Sequence, residues 1–325
     1  MKAILIGILS SIFFAVTFIL NRSMELSGGS WLWSSSLRYI FMVPFLMVIV
    51  MLRGNLRPLI KEMIARPSIW LFWSFVGFGL FYAPITYAAA SGPGWLVAAT
   101  WQLTIIAGIF ITPLFFDEKG KRNPLPIKSL FFSLLIFIGV MILQWENAEG
   151  GISLQLFLTG MLPVVIAAFA YPLGNRKMMM HYSGKLDTFQ RVLGMTIASL
   201  PLWFILSIVA SIKVGPPSSD QLVQTFIVAI SSGVIATLLF FFSTELVKDD
   251  GRKLAAVEAT QSTQVLFVIL GEMLVLSSPA PSLIALTGVV CIVIGMTLHS
   301  MKGKKGTGNE LKPIMLGEKK DQRSI

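Results

Sequence analysis

Two glutamates inside one apolar stretch are the first residues here that could do chemistry. Residues 254–276 read LAAVEATQSTQVLFVILGEMLVL, with Glu258 and Glu272 separated by Thr260, Gln261, Ser262, Thr263 and Gln264. A helix crossing a hydrocarbon core of ~30 Å needs roughly 20 mostly apolar residues. An ionisable side chain in such a span is costly, and by default it marks an ion or substrate pathway. Glu258 lies just over a turn beyond Lys253. A partly desolvated carboxylate there could exchange a proton or face a cationic cargo, or it could simply sit in the first turn as a dipole partner. Glu272 lies about four turns further along, at 1.5 Å per residue. One ion cannot touch both carboxylates, and a structural role for Glu272 is the stronger expectation.

The first half of the chain holds a counterpart, residues 96–116, LVAATWQLTIIAGIFITPLFF, followed by Asp117 and Glu118. Both stretches carry an Ala-Thr pair, a nearby Gln and a Glu near the far end. Related by a twofold axis, Trp101, Gln102 and Thr104 would face Gln261, Thr263 and Gln264. Tyr82, Tyr87, Trp95 and Tyr171 add aromatics. Aromatic faces with a carboxylate suit a lipophilic cation, although Trp and Tyr also gather at membrane interfaces. Arg38 and Arg191 sit a turn or two inside their spans, where bonding to helix ends is the expected role. Asn21 and Asn175 are expected as caps.

These residues need helices to position them. The chain has 325 residues, of which 55% are hydrophobic and only 13% charged, and its mean hydropathy is +0.77. A soluble domain carries about 25% charged residues, so the balance is that of an integral membrane protein. The net charge of +10 does not imply nucleic acid, because the basic residues lie in short loops and in the tail. No enzyme constellation, metal site or phosphate-binding GxxxxGK[ST] loop occurs, and no cofactor is expected. The lone cysteine, Cys291, excludes an internal disulfide.

Ten apolar spans can be placed: 3–20, 31–52, 69–90, 95–116, 127–145, 153–173, 188–212, 221–247, 254–276 and 282–300. With the N-terminus inside, nearly all Lys and Arg residues fall on the inner side, which also places the C-terminus in the cytoplasm. The turn Ser91-Gly-Pro-Gly94 makes the third and fourth helices a hairpin. Residues 301–325 form a basic tail, expected to be disordered, whose lysines could touch anionic lipid.

The halves resemble each other. Asn21-Arg22 recurs as Asn175-Arg176, Arg38 as Arg191, Gln102 as Gln261, Glu118 as Glu272, and Gly139 as Gly295, in the same order. Five helices per half is an odd number, so the second copy enters the membrane inverted, a known transporter design. The expected fold is therefore an all-α integral membrane protein of ten transmembrane helices, arranged as two inverted five-helix repeats (1–148 and 149–300) with the tail at 301–325.

The stretches FFAVTFILNRSMELSGGSWLWSSSLRYIFMVPF and GFGLFYAPITYAAASGPGWLVAATWQLTIIAG, Gly271-Glu272 and the last helix VVCIVIGMTL resemble the drug/metabolite transporter superfamily. Within it they are most similar to EamA-like proteins of the bacterial multidrug resistance efflux branch. That resemblance implies a bacterial plasma-membrane exporter, not an enzyme, driven by protons or another ion. Its cargo would be small hydrophobic or cationic compounds. The alternatives are a metabolite exporter of the same fold and, in another class, a lipid scramblase or membrane assembly protein. Small multidrug resistance relatives use a Glu midway along the first helix, whereas spans 3–20 and 153–173 contain no acid here. Coupling would need another carboxylate. The duplication is compatible with a working monomer.

Overall fold

The structure is a computed structural model describing residues 1–115, 121–122, 124–125, 127–147, 154–182, 185–247, 257 and 260–302. Glu258, Asp117, Glu118 and tail residues 303–325 lie outside these. The described chain is almost entirely helical. Its helices are α1 (Lys2–Leu26), α2 (Trp31–Leu52), α3 (Leu56–Ala65), α4 (Pro67–Ser91), α5 (Gly94–Phe110), α6 (Ile127–Asn147), α7 (Phe157–Tyr182), α8 (Thr188–Lys213), α9 (Ser219–Phe240), α10 (Thr260–Val275) and α11 (Leu283–Lys302). Six of these (α1, α2, α4, α7, α8 and α9) are long and apolar enough to cross a membrane. Four more, α5, α6, α10 and α11, contain shorter apolar stretches. Large apolar side chains such as Leu5, Leu9 and Ile12 on α1 and Ile205, Ile208 and Ile212 on α8 stay exposed. Outward apolar faces at helical spacing are what a lipid-embedded bundle presents.

Helix α3 was not among the ten expected spans. Its basic residues Arg57 and Lys61 were expected in a loop. They lie instead on a short amphipathic helix that buries Leu59 while Ile60 and Ile64 remain exposed. Such a helix suits the membrane surface plane.

Helices α4 and α7, and α6 and α11, pack most extensively, and α2 packs along α8. Helix α1 packs against α9 and α10, and α7 packs against α4 and α5. A polar stripe on α1 explains its partners. Ser10 Oγ donates to Ala236 O at 3.0 Å, Ser11 Oγ donates to Thr260 O at 2.8 Å, and Thr17 bonds Ser232. In an apolar surround such bonds hold helices together where the hydrophobic effect cannot.

Several helices depart from regular α geometry. π-helical turns occur at Phe75–Gly79, Phe157–Met161 and Ala229–Ala236. Helix α5 breaks at Gln102, and α10 opens with a 3₁₀ turn at Thr260–Ser262. At the far end of α10, Ser277 takes φ 51° while Ser278 N–H donates back to Glu272 O at 3.2 Å. A left-handed residue at a helix end favours glycine. Ser277→Gly is expected to raise stability by ~0.5 kcal/mol, read as a small upward shift of the melting curve in detergent.

Candidate functional site

Five helices converge on a continuous run of aromatic rings. Tyr39 of α2 stacks on Trp203 of α8, with centroids 4.5 Å apart and planes 5° from parallel. Tyr39 meets Tyr82 of α4 edge-on at 5.7 Å, and Phe81 follows at 5.9 Å. Phe81 then packs on Tyr171 of α7 at 4.6 Å and on Trp101 of α5 at 5.0 Å. Trp203 is fixed by its own helix, since its Nε1–H donates to Ser199 Oγ at 2.9 Å. Helices α4 and α7 come close enough to share these rings because both are glycine at their crossing. A Cβ on Gly174 would lie 2.4 Å from Gly77 Cα.

Arg38 sits within this run. Its guanidinium lies 4.0 Å from the Tyr82 ring centroid and 5.9 Å from that of Tyr39. The side chain is 7% exposed, and its buried Nε has no hydrogen-bond partner. The expected bond from Arg38 to a helix end is not found among the described residues. Its repeat counterpart Arg191 behaves differently, with Nη2–H donating to Thr188 Oγ1 at 3.2 Å in the first turn of α8. Asn21 is no cap either. It lies inside α1 and shares a hydrogen bond with the Tyr82 hydroxyl at 3.3 Å. That contact ties the ring run to α1.

The polar residues flanking Trp101 act locally. Gln102 is buried and its Nε2–H donates to Ala98 O at 3.0 Å, at the break in α5. Thr104 Oγ1 donates to Ala168 O at 3.2 Å, joining α5 to α7. Thr263 Oγ1 donates to Thr260 O at 2.6 Å, and Gln261 Nε2 is buried without a partner. The described hydrogen bonds do not join Gln102 or Thr104 to Gln261 or Thr263. Helices α5 and α10 do pack together, but Thr260, next to Gln261, lies against Gly7 and Ser11 near the Lys2 end of α1. Asn21, at the ring run, is roughly 20 Å further along that helix.

Glu272 is fully employed elsewhere. It is 1% exposed, and its carboxylate accepts from Gly94 N–H at 2.6 Å and Trp95 N–H at 3.4 Å. It thus caps the N-terminus of α5 from another helix. The matching C-terminal end of α4 receives a cation, with Arg22 Nη1–H donating to Ala89 O at 3.3 Å and Ala90 O at 3.4 Å. Each charge complements the helix dipole it meets. Glycine is required at 94, because a Cβ there would lie 2.6 Å from Glu272 Oε1 and 2.7 Å from Phe18 O. The expected hairpin at 91–94 is therefore present and clamped at both ends.

A separate cavity of about 550 Å³ opens near the α1–α2 turn, between Glu25, Trp31, Leu206 and Lys213. None of the ring-run residues lines it. Among the described residues no group of three potential metal ligands occurs.

A family model described as "Putative multidrug resistance efflux transporter" (EmrE) matches residues 1–305. The chain belongs to this family. The EmrE-type assignment agrees with the drug/metabolite transporter resemblance carried by the sequence, and it makes the chain a multi-pass membrane protein of a transporter family. It is 58% identical over 307 residues to the uncharacterized protein YjlA of Bacillus subtilis (strain 168), covering 92% of this chain and 94% of that protein. It is 49% identical over 266 residues to an uncharacterized 42.1 kDa protein of Shouchella clausii, covering 81% and 70%. A solved crystal structure superposes over 91% of this chain and 96% of its own at a TM-score of 0.62, with 16% identity. That likeness shows a shared fold alone.

Sequence reasoning singled out Trp101, Arg38, Tyr82 and Tyr171, which the fold brings to one region. It missed Tyr39, Phe81 and Trp203. Only the adjacency of Tyr39 to Arg38 could have signalled the first, because the pairing partners lie on other helices.

Proposed function

We propose that this chain exports small molecules by alternating access between two inverted five-helix halves, with the aromatic run as the cargo site. One observation carries the reading. The run takes Tyr39, Phe81, Tyr82 and Trp101 from the first half and Tyr171 and Trp203 from the second. A site built from both halves must change shape when they rock against each other. The helix pairing supports the inverted arrangement. The second helix of one half meets the second of the other, and so do the fifths. The first helix of each half meets the third and fourth of its opposite. Exchanging the halves leaves that pattern unchanged.

The cargo in this reading is a small lipophilic or aromatic compound, and the driving force is a proton or other ion gradient. Glu258 remains the proposed coupling carboxylate, since Glu272 is occupied at the α5 N-terminus. The test is uptake of two aromatic dyes of opposite charge, ethidium and fluorescein, by inverted membrane vesicles, with and without a proton uncoupler. Uptake by wild type should collapse with the uncoupler and in Glu258→Gln. Trp101→Ala should cut it at least about tenfold, the loss of one aromatic contact worth ~1.4 kcal/mol, with the protein still folded. Uncoupler-sensitive uptake unchanged in Glu258→Gln would clear that residue of coupling.

A metabolite exporter of the same fold is the second reading. Arg38 favours it, because a fixed positive charge beside Tyr82 repels a cationic drug and attracts a metabolite with a negative group.

A further inference from the structure

Arg38 is a buried cation with no anion paired to it among the described residues. Its side chain is 7% exposed. Among the described residues it makes no ion pair, none of the described hydrogen bonds is donated by its guanidinium, and its buried Nε has no partner. Among the described residues Glu272 is the one buried acid, and it and two partly buried acids are committed elsewhere. Glu272 caps α5, Asp187 pairs with Arg53 at 3.3 Å, and Glu62 faces Lys185 at 3.8 Å. A guanidinium whose Nε is buried and unpartnered calls for a counter-charge or hydrogen-bond acceptors. The Tyr82 face at 4.0 Å replaces only part of what hydration supplied.

The surroundings narrow what could complete it. The ring contacts place the guanidinium over the Tyr82 and Tyr39 rings, which leaves the in-plane N–H fork of Arg38 unspent. That fork matches a carboxylate or phosphate bidentately. Phe81, Trp101 and Tyr171 adjoin Tyr82, and of these Tyr171 is exposed while Phe81 and Trp101 are only partly buried. Flat aromatic faces with accessible surface, next to an unspent guanidinium, form two parts of one recognition surface. One part takes a planar apolar body and the other takes an oxyanion.

We propose that Arg38 and the adjoining rings of Tyr82, Phe81, Trp101 and Tyr171 form a binding site for a small aromatic or lipophilic molecule bearing a carboxylate or phosphate. The inference deepens the export reading, in that it names the cargo class of the same site, but binding itself does not depend on transport. The Arg38 fork holds the oxyanion and the rings stack on the body. Charge selects against cationic compounds.

The test uses the full-length protein purified in detergent and four probes of one shape: benzoate, phenyl phosphate, benzamide and benzamidine. Binding is read by quenching of tryptophan fluorescence and by the ligand-dependent shift in melting temperature. Benzoate or phenyl phosphate should bind saturably, and the tighter of the two identifies the oxyanion. Benzamide should be at least about tenfold weaker, and benzamidine should not bind. Arg38→Gln should lose the anion preference while keeping its benzamide affinity, and Arg38→Lys should retain a weakened preference. The probe series on wild type stands even if Arg38→Gln does not fold. Benzamidine or benzamide binding as tightly as the anions would overturn the proposal. So would an unchanged anion affinity in folded Arg38→Gln, or no saturable anion binding to wild type. A wild type that binds benzoate but moves neither benzoate nor ethidium across vesicles would sink the export reading and leave this site standing. Ethidium export without anion binding would do the reverse.

Discussion

Replacing Glu272 by alanine is expected to lower stability by ~2–4 kcal/mol, the largest effect of any single carboxylate in the described chain. The reason lies in the two N–H groups it accepts, from Gly94 at 2.6 Å and Trp95 at 3.4 Å. Both belong to the first turn of α5, where no intrahelical acceptor exists. Without the carboxylate they stay buried and unpaired, at ~1–3 kcal/mol each for well-made bonds; the longer bond to Trp95 counts for less. The change also removes a negative charge from a helix N-terminus. Glu272→Gln should recover part of the loss, since an amide oxygen still accepts one bond. Gly94→Ala should cost more than Glu272→Ala, because its Cβ would displace the carboxylate and also press on Phe18 O, and the double variant should cost less than the sum only by the shared carboxylate contact. Melting curves in detergent read all four proteins. A Glu272→Gln variant that melts like wild type yet has lost uncoupler-sensitive transport would show that Glu272 is a coupling group and not a clamp.

Gly174→Leu is expected to abolish recovery of folded protein. At this crossing α4 and α7 touch backbone to backbone, and a Cβ at 174 would sit 2.4 Å from Gly77 N and Cα and 3.0 Å from Trp73 O. Overpacking a core with flexible neighbours costs ~1–3 kcal/mol. Here the neighbour is helix backbone, so the helices must separate and the ring contacts Phe81–Tyr171 and Trp101–Tyr171 must open with them. Even Gly174→Ala should shift the melt downward by an amount at the upper end of that range. Gly28→Ala is the control. It has open space around it but φ +80°, so its cost is the backbone term alone, ~1 kcal/mol. Size-exclusion profiles and melting curves should rank the variants Gly28→Ala, Gly174→Ala, Gly174→Leu in order of increasing damage.

Much of the bundle was legible because lipid forces a simple code. Long apolar runs must be helices, and the turn Ser91-Gly-Pro-Gly94 could be nothing but a tight connection. Helix α3 was not legible. Its ten residues carry Arg57, Lys61 and Glu62, so a search for apolar runs passes over it, although Leu59, Met63 and Ile60 recur at helical spacing. The breaks at Gln102 and at Thr260–Ser262 carry no glycine or proline; the second is visible only once the tertiary contact of Ser11 with Thr260 is known. At the site, residue type identified Trp101, Tyr82 and Tyr171 as usable aromatics, but it could not say which would touch. Arg38 and Arg191 are equivalent by sequence order. Burial separates them, and burial depends on which helices close over each position. Glu272 was weighed as structural or functional from sequence alone. Its partner lies 178 residues away, beyond any local pattern.

In the proposed cycle the ring run is a cargo site reached alternately from the two membrane faces. Cys291 is the lone cysteine, so a Cys291→Ser background leaves an introduced thiol as the single target. Tyr171→Cys in that background, reacted with a membrane-impermeant maleimide in right-side-out and in inverted vesicles, tests the claim directly. Labelling from both faces is the predicted result, with benzoate slowing each reaction. Labelling from one face only, or from neither in folded protein, would contradict it.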